Sequence, residues 1–377
     1  MKLFFPRETA TGEARVAMVP PILSKLIAIG ADVQVEAGIG CSIKQGDDAY
    51  TKAGASLITD RPAALAEADI VLRLHPPPDE EIALMKRGCI HISYLDPFFN
   101  TGRVRALANA GIDAICMEMI PRTTIAQKMD ALSSQANLAG YVAVLQAVSQ
   151  LGKILPMMMT PAGTLSPAKV FVIGAGVAGL QAIATAKRLG ARVEAFDTRP
   201  VVEEQVQSLG ARFLKVDLGE TGQTSGGYAR ELTAEQLEIQ RQAMAKACAQ
   251  ADIVITTAQL FGRKAPRVIT AAMIGGMSPG SVIVDMAAES GGNVEGSEPG
   301  RDIVINGVTV IGAANLAGQV PVAASQMYAS NLANLVEHFW DKESKTFNLD
   351  REDEIIKGAL LTFGGEVVNP AIKERMN

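Results

Sequence analysis

The sequence predicts an α/β protein of two Rossmann-like lobes, each with a parallel sheet, joined by a long helix and separated by a cleft. Two observations carry this prediction. Short apolar segments rich in β-branched residues alternate with amphipathic helical stretches, which is the pattern of a parallel sheet. At 377 residues the chain is also too long for one ordinary hydrophobic core and fits two domains.

The first lobe is predicted from five short apolar segments. These segments are Leu3–Phe5, Asp32–Glu36, Ile70–Leu74, Cys89–Tyr94 and Ile112–Met117. Between them, Pro21–Gly30 and Thr101–Gly111 are amphipathic and end on glycine, the residue common just past a helix C-terminus. Ala131–Leu151 contains no proline, only one glycine, and apolar residues at helical spacing. It therefore predicts the long helix that leaves this lobe.

The second lobe begins after a segment that contains several prolines. Leu155–Ser166 includes the turn sequence Pro161-Ala162-Gly163-Thr164 and predicts a hairpin. The strands predicted after it are Val170–Ile173, Val193–Phe196, Arg212–Val216, Ile253–Thr256, Ser281–Asp285 and Val308–Ile311. A helix near Ser325–Trp340 follows, and we expect about the last 50 residues of the chain to pack back on the first lobe. The predicted domains are 1–134 with 327–377, and 135–326.

Composition excludes several classes of protein. The formal net charge is −5 and no long basic run occurs, which argues against a nucleic-acid partner because phosphates need clustered cations. The four cysteines form neither a CxxC pair nor a metal-ligand spacing, so no metal is predicted. No apolar stretch is long enough for a signal peptide or a spanning helix, so we expect a cytoplasmic chain without direct membrane insertion.

A glycine-rich turn is the main candidate for a nucleotide site. Gly174-Ala175-Gly176-Val177-Ala178-Gly179 joins a buried predicted strand to the amphipathic stretch Leu180–Leu189. In such turns the first glycine permits the tight bend, the second lets the backbone approach a pyrophosphate, and the third lets the helix pack on the strand. The phosphates then meet the positive end of the helix. The sequence therefore predicts NAD(H) at this turn.

An acidic residue follows at the end of the next predicted strand. Asp197 lies 18 residues after Gly179, where a carboxylate accepts the adenosine ribose hydroxyls, and it favours NAD over NADP because a 2′-phosphate would meet its charge. We also place Thr198 and Arg199 in the site, although Arg199 weakens the inference about cofactor choice. The last predicted cofactor-binding residues are Thr257, Ala258 and Gln259, which follow the predicted strand Ile253–Thr256. The alternative is a glycine turn with a capping aspartate and no ligand.

Three runs of residues carry a resemblance to a known family. They are Pro121-Arg122 with Gln127 through Tyr141, then Met157 through Thr160, then Val177 through Gly190. The chain resembles, over nearly its whole length, the NAD(H)-binding first domain of the proton-translocating NAD(P) transhydrogenases, whose reaction is Si/Re-specific. The resemblance implies a homodimer at the cytoplasmic face of a membrane-spanning subunit. It also implies hydride exchange with NADP(H) on a partner domain, coupled to proton translocation.

The resemblance also implies particular site residues. Arg122, Gln127, Asp130 and Ser133 match the loop that surrounds the nicotinamide and are assigned as the catalytic set. Gly227 and Tyr228 match a mobile loop whose tyrosine folds over bound nucleotide. From the residues alone, an amide or hydroxyl can orient the carboxamide, and Asp130 can hold Arg122. The alternative is a cluster that caps the long helix, with Asp130 or Ser133 as the cap.

The absence of an obvious base bears on the reaction. A dehydrogenase that oxidises an alcohol or amine needs a general base, whereas exchange between two nicotinamides needs none. The sister family, the alanine dehydrogenases, has a lysine after the third strand and a histidine after the fourth, where this chain has His75 and Asp96. Arg15 resembles the substrate-carboxylate position of that family, but both families carry it. An amino-acid dehydrogenase with His75 and an aspartate as an acid/base pair is therefore the alternative, and a non-enzymatic NAD sensor is a third hypothesis.

Overall fold

The computed structural model describes residues 1–217 and 233–376. The chain forms two compact units, Met1–Gln135 with Gly318–Asn377, and Ala136–Ala317. The domain boundaries predicted from the sequence were 134/135 and 326/327, whereas these units meet at 135/136 and 317/318. Each unit contains a largely parallel sheet flanked by helices, so the predicted α/β class is confirmed.

In its described residues, the first unit is built on a six-stranded sheet in the order β3-β2-β1-β4-β5-β6, with every neighbouring pair parallel. The strands are β1 (Lys2–Phe5), β2 (Asp32–Glu36), β3 (Ser56–Ile58), β4 (Ile70–Leu72), β5 (Ile90–Ser93) and β6 (Asp113–Cys116). The edge strand β3 was not predicted. Its three residues are exposed or half-buried, so it has no buried apolar run to reveal it.

Short helices connect these strands. They are α1 (Pro20–Ala28), α2 (Asp47–Lys52), α3 (Arg61–Glu67), α4 (Asp79–Ile82) and α5 (Thr101–Ala110). Their ends follow local chemistry. The Asp60 side chain accepts a hydrogen bond from the Ala63 N–H at 3.0 Å and caps α3. Gly111 ends α5 in the left-handed conformation, at a φ of 73°, as its sequence position predicted.

The predicted long helix is α6 (Ala131–Gln150), which begins in the first unit and ends in the second. Asp130 precedes it and accepts a hydrogen bond from the Ser133 N–H at 2.8 Å. Its one glycine is a packing requirement, because a Cβ at Gly140 would lie 2.2 Å from the carbonyl oxygen of Ala178. The backbones therefore touch where no side chain fits.

The second unit opens with the predicted hairpin and continues into a second sheet. In the described part of this unit the sheet has the order β11-β10-β9-β12-β13-β15-β14. The strands are β7 (Met158–Thr160) and β8 (Gly163–Leu165) in the hairpin, then β9 (Lys169–Ile173), β10 (Arg192–Phe196), β11 (Arg212–Phe213), β12 (Ile253–Thr256), β13 (Val282–Asp285), β14 (Arg301–Ile305) and β15 (Val308–Gly312). The helices are α7 (Val177–Arg188), α8 (Glu203–Ser208), α9 (Ala234–Gln250) and α10 (Ala271–Gly275).

The winding of the second sheet reverses between β9 and β12. Ligands of doubly wound sheets bind at such a switch point, outside the carboxyl ends of the strands. Strand β14 pairs antiparallel with β15 and was not predicted, although Asn306-Gly307 between them is a hairpin sequence. Both residues have positive φ, 52° and 79°, as a type I′ turn requires.

The chain then returns to the first unit. Its elements there are α11 (Pro321–His338), β16 (Trp340–Asp341), β17 (Thr346–Phe347), α12 (Glu354–Ala359), β18 (Thr362–Phe363), β19 (Glu366–Val367) and α13 (Pro370–Met376). Tyr328, Leu332 and Val336 of α11 are fully buried in the same apolar core as Leu3 and Phe5 of β1. Helix α11 therefore packs on the sheet of the first unit.

Among the helices of residues 1–217 and 233–376, none combines the length and the apolar composition that crossing a membrane requires.

The Gly140 contact leads to a stability prediction. Gly140→Ala should lower the free energy of unfolding by about 1–3 kcal/mol, because the added methyl overlaps a backbone carbonyl that cannot move cheaply. Gly102→Ala is the control, since Gly102 lies in α5 with no described atom within 4 Å of an added Cβ. We expect the control to be neutral or slightly stabilising in urea unfolding. Equal stability of the two variants would contradict the close packing of α6.

Candidate nucleotide-binding site

The glycine-rich turn follows β9 at the switch point of the second sheet. Gly174 has a φ of 95°, a conformation that favours glycine, and its N–H donates to the Phe196 carbonyl at 2.8 Å. A Cβ at Gly174 would also lie 2.5 Å from Oγ1 of Thr257. The tight bend predicted for the first glycine is therefore required both by conformation and by space.

The other two glycines have different surroundings. A Cβ at Gly179 would lie 1.9 Å from the Gly174 carbonyl oxygen, so α7 rests directly on the turn. At Gly176, which precedes α7, the nearest described atom to an added Cβ is Nη2 of Arg199, at 3.9 Å. The first N–H groups of a helix, here those of Val177 and its neighbours, have no partner within the helix and attract anions. The turn therefore fits a pyrophosphate.

Asp197 lies at the end of β10 and is tied to the turn. Its carboxylate accepts from the Ala175 N–H at 2.7 Å and from the Arg199 N–H at 2.9 Å. The Arg199 guanidinium adds two more bonds, from Nε at 2.9 Å and Nη2 at 2.7 Å. This hydrogen bonding raises the pKa of Arg199. Thr198 is half-buried between them. The expected ribose acceptor is thus hydrogen-bonded within the protein.

The segment after β12 packs against the other side of the turn. The Thr257 hydroxyl donates to the Gly174 carbonyl at 3.0 Å, and the Gln259 amide lies 3.4 Å from the Met286 carbonyl. Ala258 is held by a residue that sequence reasoning missed. Asn293 is fully buried, accepts from the Ala258 N–H at 3.1 Å and donates to its carbonyl at 2.8 Å.

Asn293 follows two glycines with positive φ, Gly291 at 114° and Gly292 at 80°. The sequence Gly-Gly-Asn was the only local sign of a special loop. The Asn293 N–H donates a hydrogen bond to the buried carboxylate of Asp285, at 3.2 Å from Oδ1. Asn293 therefore positions Ala258 through contacts between residues distant in sequence.

The segment from Arg122 to Ser133 lies in the first unit. Asp130 accepts from both the N–H and the hydroxyl of Ser133, at 2.8 and 2.6 Å, so the capping alternative is present in the structure. Arg122 Nε lies 3.9 Å from the same carboxylate. The Gln127 side chain is exposed, and no hydrogen bond from its amide occurs within the described ranges. Gly227 and Tyr228 lie outside the described residues.

Arg15 and His75 share one carboxylate in the first unit. Glu13 accepts from Arg15 Nε at 2.9 Å and Nη2 at 2.6 Å, and lies 2.7 Å from His75 Nε2. Burial alone would raise the pKa of Glu13, but the hydrogen bonds from Arg15 and His75 lower it to about 2. The acidic partner of His75 is thus Glu13 and not an aspartate. Arg15 is a member of a structural ion pair.

Across residues 1–217 and 233–376, no group of three or more His, Cys, Asp or Glu side chains is arranged as metal ligands would be.

The buried Glu13 leads to a prediction about pH. Glu13→Gln should lower the free energy of unfolding near pH 7 by about 3 kcal/mol, because it removes the counter-charge of buried Arg15. The pKa of Glu13 is depressed in the folded state, so its stabilising contribution is complete above the usual value of 4.5 and is lost as pH falls toward about 2. The stability gap between wild type and variant should therefore narrow across this interval.

Urea unfolding at a series of pH values measures this gap. Glu67→Gln is the control, because Glu67 pairs with Lys2 on the surface and should contribute little to stability. A gap for Glu13→Gln that does not change with pH would show that the carboxylate is not held ionised by Arg15.

Two family models match consecutive parts of the chain. The family model of the alanine dehydrogenase/PNT N-terminal domain matches residues 4–139, and that of the C-terminal domain matches residues 143–370. These matches cover most of the sequence. The chain belongs to the alanine dehydrogenase/PNT family.

Individual relatives narrow this class. The chain is 44% identical over 379 residues to the first part of the NAD(P) transhydrogenase alpha subunit of Rhodospirillum rubrum, covering 99% of each. It is 41% identical to NAD(P) transhydrogenase subunit alpha of Haemophilus influenzae, covering 98% of this chain and 72% of that protein. The crystal structure of transhydrogenase from Sinorhizobium meliloti superposes with a TM-score of 0.85 at 43% identity, covering 98% and 100%. The predicted resemblance to the transhydrogenases is confirmed.

Proposed function

We propose that this chain is the NAD(H)-binding component of a proton-translocating NAD(P) transhydrogenase. It binds NAD(H) on its glycine-rich turn and exchanges hydride with NADP(H) held by a partner domain. The observation that carries the proposal is the turn itself, because Gly174 and Gly179 leave no space for a side chain while Gly176 leaves open space in front of its backbone. NADH supplies the hydride when bound. The residues of the chain bind and orient it.

The second unit supplies the groups for the adenosine half of the nucleotide. The N-terminus of α7 offers N–H groups and a positive dipole end to the pyrophosphate. Asp197 fixes the Ala175 N–H and stands where a ribose is recognised. Asn293 holds Ala258 beside the turn. All of these groups are held by hydrogen bonds within one unit.

The segment from Arg122 to Ser133 is proposed to aim the nicotinamide, a role taken from the family resemblance. Asp130 is fixed at the start of α6 by two bonds to Ser133, and Arg122 lies near the same carboxylate. Gln127 presents an exposed amide. Direct hydride exchange needs no protein base, and its demand is alignment of the two reacting carbons at roughly 3–3.5 Å. Capping of α6 and aiming of the cofactor are therefore compatible.

The partners follow from the same proposal. We propose a homodimer at the cytoplasmic face of the membrane, with membrane-spanning subunits that carry the proton and an NADP(H)-binding domain. High identity to transhydrogenase subunits over the whole chain favours this function over an amino-acid dehydrogenase.

Gln127→Asn tests the function. The variant should reduce hydride transfer by on the order of a hundredfold and leave NADH affinity nearly unchanged, because it retracts the amide by about 1 Å without touching the adenosine contacts. Transfer is measured in a single turnover from NADH to a thio-analogue of NADP⁺ on the complex reconstituted with its partner subunits. NADH affinity is measured by calorimetry.

Gln250→Asn, at an exposed glutamine that ends α9, is the control and should change neither quantity. Equal losses of rate and affinity in Gln127→Asn would make Gln127 an ordinary binding contact. If neither the rate nor the affinity falls, the only role left for the segment from Arg122 to Ser133 is to cap α6. A wild-type complex that binds NADH without transfer would be a sensor, and turnover of alanine with NAD⁺ by the chain alone would establish the dehydrogenase.

A further inference from the structure

Asp197 and Arg199 indicate opposite preferences between NAD(H) and NADP(H). In dinucleotide-binding folds an acidic residue after the second strand accepts the ribose hydroxyls of NAD, whereas an arginine nearby accommodates the 2′-phosphate of NADP. This chain has both residues, two positions apart. The structure joins them in an ion pair, with side chains only 6% and 15% exposed.

The pair uses the whole carboxylate. Oδ1 of Asp197 accepts from the Arg199 N–H and Nε, both at 2.9 Å. Oδ2 accepts from the Ala175 N–H and Arg199 Nη2, both at 2.7 Å. An ionised carboxylate offers about four acceptor positions, so none is left for a ribose hydroxyl while Arg199 stays in place. Two of the four bonds come from the guanidinium and are the ones a ligand can replace.

The guanidinium also lies on the ligand side of the turn. Its Nη2 is 3.9 Å from the position of a Cβ on Gly176, the glycine whose backbone faces the pyrophosphate. A bidentate arginine is the usual partner of a phosphate group. Because the guanidinium also contacts Asp197, where the adenosine ribose is recognised, Arg199 lies within reach of a phosphate on that ribose. In this chain it is ion-paired with Asp197.

We propose that Arg199 is a second specificity-determining residue, a phosphate-binding group that Asp197 masks. The inference rests on the proposed NAD(H) site. The ribose hydroxyls of NAD(H) replace the two guanidinium bonds on Asp197. A 2′-phosphate would also leave the buried carboxylate beside a dianion, an unfavourable charge that the ribose hydroxyls of NAD(H) do not bring. Asp197 thus excludes NADP(H) in two ways, by its own charge and by occupying the arginine.

Unmasking Arg199 tests the proposal. Asp197→Asn keeps the shape and can still accept from Ala175, but it removes the negative charge that pairs with the guanidinium. NADPH affinity should rise by about tenfold to a hundredfold, the effect of one or two charge-assisted hydrogen bonds, while NADH affinity falls. The gain should disappear in Asp197→Asn combined with Arg199→Gln, and Arg199→Gln alone should bring none. Calorimetry with NADH and NADPH on the full chain measures all four proteins.

Controls separate the contributions. Arg212→Gln removes an exposed arginine that pairs with Glu194 on the same sheet, so its combination with Asp197→Asn should keep the NADPH gain. Asp197→Ser provides a second unmasking variant if the asparagine variant does not fold. A gain that persists without Arg199, or no gain in either unmasked variant that still binds NADH, would overturn this inference alone. A folded wild-type chain that binds neither nucleotide would overturn the proposed function and this inference with it.

Discussion

Contact between bare backbones at the glycine-rich turn is the constraint on which the second unit depends. Gly179 lets α7 rest on the Gly174 carbonyl, and Gly140 lets α6 rest on the Ala178 carbonyl. The turn is thus enclosed by helices that approach closer than any side chain allows. Because packed interiors yield little to added atoms, its shape is set before a ligand arrives. The N-terminus of α7 is consequently held in one position, which is what an anion site requires.

Paired charges provide the second constraint. Glu13 is shared by Arg15 and His75, and Glu81 is shared by Arg61 and Arg73. A charge buried without a partner is strongly destabilising, so each pair fixes the loops that carry it. In the second unit the pair of Asp197 and Arg199 ties a loop to the glycine-rich turn in the same way. A ligand that binds one of these charged side chains therefore has to displace its ion-pair partner.

Sequence reasoning predicted the strand, turn and helix around the glycines because their constraints are local. The glycine turn, the strand before it and the helix after it are contiguous, and steric requirements at each glycine act between near neighbours. Asn293 was missed because its role depends on Ala258, on a different loop. The alternative that paired His75 with an aspartate was wrong, because its partner is Glu13, on a loop far away in sequence. The edge strands β3 and β14 were not predicted because they lack a buried apolar run.

The sequence by itself determined the α/β class, the long helix, the glycine-rich turn and the family. Apolar periodicity and backbone steric limits depend on residues that are close in sequence, so they can be recognised without the structure. Tertiary structure decided which charged groups pair. Asp197 and Arg199 are two residues apart. In a continuous strand, side chains two residues apart point to the same face of the sheet, but this rule does not apply beyond the end of the strand. The strand ends at Phe196, and the bend after it brings the guanidinium over the carboxylate. Which partner a charge finds depends on such bends and on packing between distant segments, which local sequence patterns do not specify.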